Sequence, residues 1–205
     1  MDPIFLFDFG SPNAYFAHRL IPGIEARTGT RFRCLPVLLG GLFKLSGNQA
    51  PMLAFAGVPN KLAHERRGME RFIRRHGITE FRMNPDFPIN TLMLMRGAVA
   101  AEMEGVLEPY VDAMFRFMWA EPRKLDDPAV LARTLAEADL PAERLFARAG
   151  EQAVKDRLAA NTQYAYDRGA FGIPSFLVGD ELFFGKDQLG EVEDELRSAA
   201  VGSAA

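Results

Sequence analysis

Cysteine is nearly absent from this sequence. Cys34 is the only one among 205 residues, so no disulfide can close within the chain and C-x-x-C redox chemistry is excluded. A basic excess is missing too. Lys and Arg number 24 against 27 Asp and Glu, a formal net charge of −3, which gives no reason to expect nucleic-acid binding. No apolar stretch approaches the roughly 20 residues needed to span a bilayer, so no membrane partner is expected. Gly-x-Gly-x-x-Gly and P-loop patterns do not occur, and no nucleotide cofactor is expected. His18, His64 and His76 lack metal-ligand spacing, so no metal site is expected. The first residues, Met1-Asp2-Pro3, are acidic rather than basic and lead straight into a strand-like run. No signal peptide is expected, and with the lone cysteine this points to the cytoplasm.

Hydrophobic residues make up 48% of the chain and charged residues 25%, enough for a core inside a soluble surface. The length fits one domain or a small core with a large insertion. Ile4 to Phe9 is a short apolar run that holds one acid, Asp8, and stops at Gly10-Ser11-Pro12. It reads as a buried strand. Serine, then proline, then an apolar-periodic segment is a helix start, and Thr28-Gly29 ends that helix. Arg31 to Leu39 alternates and reads as a second strand interrupted at Pro36. From about Gly41 to Leu158 the pattern is helical, with segments at Leu62 to Ile73, Leu92 to Met103, Pro109 to Trp119, Val130 to Ala138 and Ala153 to Tyr166. Strands return at Pro174 to Val178 and Glu181 to Phe184, joined by the hairpin signal Gly179-Asp180. A helix over Gln188 to Ala199 follows, and Val201 to Ala205 is expected to be a frayed tail.

The order is βαβ, a helical block, then ββα. That is the order of a thioredoxin-like α/β fold with a large all-helical insertion: residues 1–42 and 160–205 form the thioredoxin-like domain, and 43–159 the insertion. In such a fold the end of the first strand and the start of the first helix make a reactive corner, where exposed N–H groups and the helix dipole favour negative charge. Here that corner reads Ser11-Pro12-Asn13-Ala14. A hydroxyl cannot cycle through a disulfide, but it can donate a hydrogen bond to a thiolate supplied by a ligand. A helix cap alone accounts equally for Ser11. Phe171-Gly172-Ile173-Pro174 stands directly before the late hairpin, in the place of a cis-proline loop facing the corner. A cis bond there leaves the backbone of Ile173 free to pair with a peptide-like ligand. Gly185-Lys186-Asp187-Gln188 opens the last helix, where Asp187 caps the helix or receives the ammonium of a γ-glutamyl group.

Taken in order, Phe7-Asp8-Phe9-Gly10-Ser11-Pro12, Lys44-Leu45-Ser46-Gly47-Asn48, Phe87-Pro88-Ile89-Asn90, Trp119, Phe171 to Pro174 and Phe184 to Asp187 resemble the 2-hydroxychromene-2-carboxylate isomerase family. That family is kin to kappa-class glutathione transferases within the DsbA-like thioredoxin fold. The resemblance spans nearly the whole chain. It implies glutathione as cofactor, with Ser11 at its sulfur beside Pro12 and Asn13, and Asn48 touching the tripeptide. Ile173 and Pro174 would hold the cysteinyl part by backbone, and Gly185, Lys186, Asp187 and Gln188 the γ-glutamyl end. Lys44 and Asn90 are the expected contacts of the organic substrate. The implied reaction converts 2-hydroxychromene-2-carboxylate, or a related aromatic enone acid, to trans-o-hydroxybenzylidenepyruvate in aromatic catabolism, by a homodimer. A kappa-like transferase conjugating electrophiles and a non-catalytic thioredoxin-like binding module are the alternatives. Many relatives carry a tyrosine near His64 and an acid near Gly68, and neither stands here.

Further features have blander readings. Arg66, Arg67, Arg71, Arg74 and Arg75 fall in one predicted helix as a solvated face or a carboxylate-attracting rim. Trp119 and the run Met114 to Met118 pack the helical insertion or wall a substrate pocket. Cys34 reads as an inert core residue.

Overall fold

The computed structural model describes residues 2–202. Strand β1 (Ile4–Phe7) leads into α1 (Pro12–Thr28) and then into β2 (Arg33–Pro36). Helices α2 (Leu39–Ser46), α3 (Pro51–Ala54), α4 (Pro59–His76), α5 (Leu92–Met103), α6 (Leu107–Trp119), α7 (Pro128–Glu137), α8 (Ala142–Ala149) and α9 (Gln152–Asp167) follow. The chain closes with β3 (Ser175–Val178), β4 (Glu181–Phe184), a single 3₁₀ turn at Lys186–Gln188, and α10 (Leu189–Gly202). This is the expected α/β thioredoxin-like, DsbA-like architecture. Among the described residues no helix is long and apolar enough to cross a membrane.

The four strands lie in the order β2-β1-β3-β4. β1 is parallel to β2 and antiparallel to β3, and β3 is antiparallel to β4. The parallel pair needs a crossover, which α1 supplies. β1 is central and its Phe5, Leu6 and Phe7 are fully buried. Phe5 stands opposite Phe176 in register, with the rings stacked at 5.5 Å between centroids, a cross-strand aromatic pair that fixes the register. α10 packs on β3 and α1, whereas α9 packs on β2 and α2. The expected domain boundaries after residues 42 and 159 fall inside α2 and α9. One apolar core runs through the sheet and the helical block.

Several elements differ from the sequence expectation. β1 and β2 are shorter than their apolar runs, because the chain turns at Asp8 and because Leu39 begins a helix instead of ending a strand. α2 was hidden by Gly40-Gly41 and by the lack of a capping side chain at its own start. The short helices α3 and α8 were also unforeseen. The last α-helix starts one residue late, after the 3₁₀ turn. Of the expected tail, Val201 and Gly202 belong to α10 and residues 203–205 lie outside the described residues. A second cis bond, Phe87–Pro88, accompanies Ile173–Pro174.

One glycine in the helical block has a plain steric reason. A Cβ on Gly97 of α5 would sit 2.1 Å from the Tyr110 hydroxyl oxygen. The hydroxyl donates to the Leu94 carbonyl at 3.0 Å, so α6 approaches α5 closely only because residue 97 has no side chain.

Candidate active site

Ser11 stands where β1 gives way to α1. Its backbone is extended (φ −100°, ψ 112°) and its Oγ accepts the Ala14 N–H at 3.2 Å, as an N-cap does. The hydroxyl proton goes elsewhere. Ser11 Oγ donates to the Ile173 carbonyl at 3.0 Å across 162 positions of sequence, and Ile173–Pro174 is cis. Capping and a place opposite the cis-proline loop, alternatives in the sequence, therefore coexist. Ser11 is only 5% exposed, so its bonds are little contested by water.

One expectation needs correction here. The Ile173 carbonyl is occupied by Ser11, and only the Ile173 N–H lacks a hydrogen-bond partner among the described residues. The first turn of α1 shows a similar economy. Ala14 and Tyr15 N–H groups bond back to Ser11, and Pro12 has no N–H. The Asn13 N–H has no partner among the described residues, as is usual in the first turn of a helix, and the Phe9 carbonyl just before the corner accepts Trp119 Nε1–H at 2.9 Å. Trp119, fully buried on α6, thus fastens the helical block to the corner as well as packing its core. An open N–H at a helix start beside a hydroxyl is a setting that favours an anionic sulfur.

The other expected binding residues gather around the same loop. Gly185 has φ 95° and ψ 156°, a conformation that side chains rarely adopt, and its N–H donates to the Pro174 carbonyl at 2.9 Å. Lys186 is 9% exposed. Its ammonium lies 2.6 Å from Asp187 Oδ2 and 4.7 Å from the centre of the Phe72 ring on α4. Of the two roles expected of Asp187, capping the last helix is not the one the structure shows. Its mostly exposed carboxylate takes the Lys186 ammonium instead, and the 3₁₀ turn starts at Gly185 without a side-chain cap. Gln188 Nε2 donates to Glu191 at 3.2 Å. The 3₁₀ turn packs against α1, which brings Lys186 to Gln188 alongside the helix that Ser11 begins.

Asn48, after α2, donates through Nδ2 to the Phe171 carbonyl at 2.9 Å and so belongs to the cis-proline side. Asn90 is exposed and accepts the Leu92 N–H at 3.0 Å, capping α5. Its neighbour Thr91 presses Cγ2 within 3.2 Å of where a Gly10 Cβ would stand, which places Asn90 near the corner. Lys44 lies exposed on α2 without an ion pair among the described residues, and among them no hydrogen bond joins it to Ser11. Tyr15, one turn past Ser11, is committed elsewhere. Its hydroxyl donates to Glu80 at 3.3 Å, and burial with the Glu80 charge pushes its pKa up to about 12. The Cys34 thiol is likewise pushed up to about 12, by burial first and then by Glu108 and other nearby carboxylates. It is unsuited to act as a thiolate.

Two features escaped the sequence reading. His18, considered in the sequence only as a metal ligand, pairs through Nε2 with Asp112 of α6 at 2.9 Å. Asp8, noted only as the one acid of an apolar run, is fully buried beneath the corner. A charge inside a strand was the available signal.

The sheet order, the helical insertion and the helix start facing a cis-proline loop define a protein of the thioredoxin-fold class. A family model described as the DSBA-like thioredoxin domain matches residues 4–197, and the chain belongs to that family. Curated relatives carry a narrower name. The 2-hydroxychromene-2-carboxylate isomerase of Sphingobium xenophagum is 27% identical over 198 residues, covering 94% of this chain and 96% of the relative. That of Pseudomonas putida is 25% identical over 197 residues, covering 94% and 92%. Isomerase-named relatives thus span nearly the whole chain and support an enzyme. Among solved structures, a 2-hydroxychromene-2-carboxylate isomerase superposes with a TM-score of 0.85 at 23% identity, covering 100% of this chain and 98% of its own. The cytosolic disulfide reductase DsbM of Pseudomonas aeruginosa, solved with GSH, gives 0.62 at 16% identity, with both chains covered fully. These two likenesses concern the fold.

Proposed function

We propose that the protein is a glutathione-dependent isomerase acting on 2-hydroxychromene-2-carboxylate or a related aromatic enone acid. The observation that carries this reading is the Ser11 hydroxyl, held 3.0 Å from Ile173 O at the start of α1, where the fold's redox members keep a cysteine. The residues fit the tripeptide. Two backbone donors without a partner among the described residues, Asn13 N–H and Ile173 N–H, lie in the same corner and loop as the hydroxyl, and a lysine–aspartate pair follows at the adjoining turn. Isomerase-named relatives and a GSH-containing structure of the same fold favour the same assignment.

Glutathione, when bound, supplies a thiolate whose reversible addition to an enone carbon lets the former double bond rotate before elimination restores it. The chain's own groups prepare that chemistry. Ser11 turns its proton from the Ile173 carbonyl toward the sulfur, and the Asn13 N–H with the positive end of α1 adds to the stabilisation of negative charge. The Ile173 N–H pairs with the tripeptide backbone. Lys186 and Asp187 offer a cation and an anion to the carboxylate and ammonium of the γ-glutamyl end. Splitting one hard isomerisation into two easier steps is the gain of such covalent catalysis.

Calorimetry and turnover on the wild type and Ser11→Ala test the reading. Glutathione binding should persist in Ser11→Ala while kcat/KM falls by about a hundred- to a thousandfold, the cost of losing one preorganised donor. Isomer should form with the thiol titre unchanged. Loss of thiol into a stable conjugate would instead assign a kappa-like transferase, and absence of glutathione binding in both proteins would remove both enzymatic readings.

A further inference from the structure

A carboxylate below the corner has no part in the chemistry just described. Asp8 is 0% exposed. Its Oδ1 accepts the Gly10 N–H at 2.8 Å and its Oδ2 the Leu39 N–H at 2.8 Å, while the Thr91 hydroxyl faces the same group. Gly10 lies just before the N-cap of α1, Leu39 is the first residue of α2, and Thr91 immediately precedes α5. Three helix starts therefore converge on one side chain, and each brings the positive end of a dipole. Neither Leu38 nor Thr91 caps its own helix with its side chain. Leu38 N–H is taken by Thr162 at 3.1 Å and Leu39 N–H by Asp8, so the start of α2 is satisfied from other parts of the chain. Burial pushes the Asp8 pKa up, and the bonds from Gly10, Leu39 and Thr91 oppose it.

The three partners stand next to the residues assigned to the site. Gly10 adjoins Ser11. Leu39 opens the helix that carries Lys44 and leads to Asn48. Thr91 adjoins Asn90. A carboxylate that accepts from Gly10 and Leu39, with the Thr91 side chain packed against Gly10 beside it, sets the sulfur corner against the side that receives the organic acid. We propose that Asp8 is a positioning residue, holding the α1 corner, the α2 start and the Asn90–Thr91 segment in one arrangement so that the enone acid meets the sulfur. This rests on the isomerase reading for its consequence in turnover, but its structural part stands apart from it. A one-ångström displacement of reacting groups is enough to lower rates by about a hundredfold. Loosening the hold on Leu39 should therefore lower the rate while glutathione affinity is retained.

Asp8→Asn keeps the shape but turns an amide N–H₂ toward one of the two backbone donors, and Thr91→Val removes only the hydroxyl. Amide exchange of the glutathione-free protein, glutathione calorimetry and steady-state turnover are measured on both. In Asp8→Asn the Leu39 and Gly10 amides should exchange about tenfold faster, with the strand amides of Phe5 and Phe176 unchanged. Turnover should fall roughly ten- to a hundredfold with glutathione affinity retained, and Thr91→Val should move in the same direction by less. Should Asp8→Asn fail to fold, Thr91→Val carries the test by the same criteria. Unchanged exchange at Leu39, exchange raised equally throughout the protein, or full turnover despite a loosened Leu39 would each overturn the proposal. If the wild type neither binds glutathione nor isomerises the acid, the isomerase reading falls. The exchange arm then decides by itself whether Asp8 holds the helix starts together.

Discussion

Both ends of α1 are tied to remote parts of the chain, by bonds of opposite character. At its start a neutral, buried hydroxyl meets a neutral carbonyl, Ser11 to Ile173. At its far end Arg27 forks onto Glu193 of α10 at 2.8 and 2.7 Å, and Arg197 adds a bond to the same carboxylate at 2.6 Å. Charge-assisted forks are strong in kind, though solvent screens them at a surface. A neutral hydroxyl–carbonyl bond contributes only about 1 kcal/mol net, so the serine proton can leave Ile173 for a better acceptor. The fixed anchor of the helix lies away from the reactive end, and the exchangeable one lies at it.

The sharpest way to probe the contrast is Ser11→Cys. A thiol at a helix start ionises with a pKa of about 3.5–7.5, whereas Cys34 is pushed up to about 12. In the native variant, residue 11 should form a mixed disulfide with oxidised glutathione at neutral pH at least about a hundredfold faster than Cys34. Intact-mass time courses followed by peptide mapping measure this. Equal rates at both cysteines would mean that the corner does not activate sulfur.

A smaller effect is expected at Lys186→Met, which keeps most of the buried volume and removes the ammonium. Asp187 is largely exposed, so no buried charge is orphaned. Glutathione affinity should fall by about tenfold, while the melting temperature moves by no more than about 3 °C. Calorimetry and thermal unfolding separate the two. A large stability loss with unchanged affinity would recast Lys186 as a strut between the 3₁₀ turn and Phe72.

The sequence made local chemistry readable and remote pairing unreadable. α1 was legible from Ser11-Pro12 and Thr28-Gly29, and the hairpin from Gly179-Asp180, because cap and turn residues act within a few positions. The cis-proline loop and Ser11 could be placed at one corner by the order of the elements. That Ser11 would spend its proton on Ile173 could not be read, nor that Asn48 would reach Phe171 and Trp119 reach Phe9. Those partners lie 162, 123 and 110 positions apart, and only the folded chain puts them in reach. α2 was missed for the same reason, since its start is satisfied by Asp8 and Thr162 rather than by a residue beside it. The capping role offered for Asp187 came from its place before a helix, and the buried Lys186 next to it takes the carboxylate instead.

The far anchor gives the smallest expected effect and the cleanest control. Hydrogen bonds from Arg27, ahead of the charges of Arg27 and Arg197, hold the Glu193 carboxyl down at about 2, against an ordinary value of 4.5. A carboxylate depressed in the folded state contributes stability above its unfolded value and loses it as pH falls through the folded one. Glu193→Gln should therefore lower the melting temperature at pH 7 by at most about 4 °C, within the range of surface ion pairs. The gap from wild type should narrow steadily as pH is lowered from about 5 toward 2. Turnover of the enone acid should be unchanged, because the corner does not depend on this pair for its geometry. If Glu193→Gln slowed turnover while the protein stayed folded, the two ends of α1 would be coupled. The charged anchor would then take part in aiming Ser11.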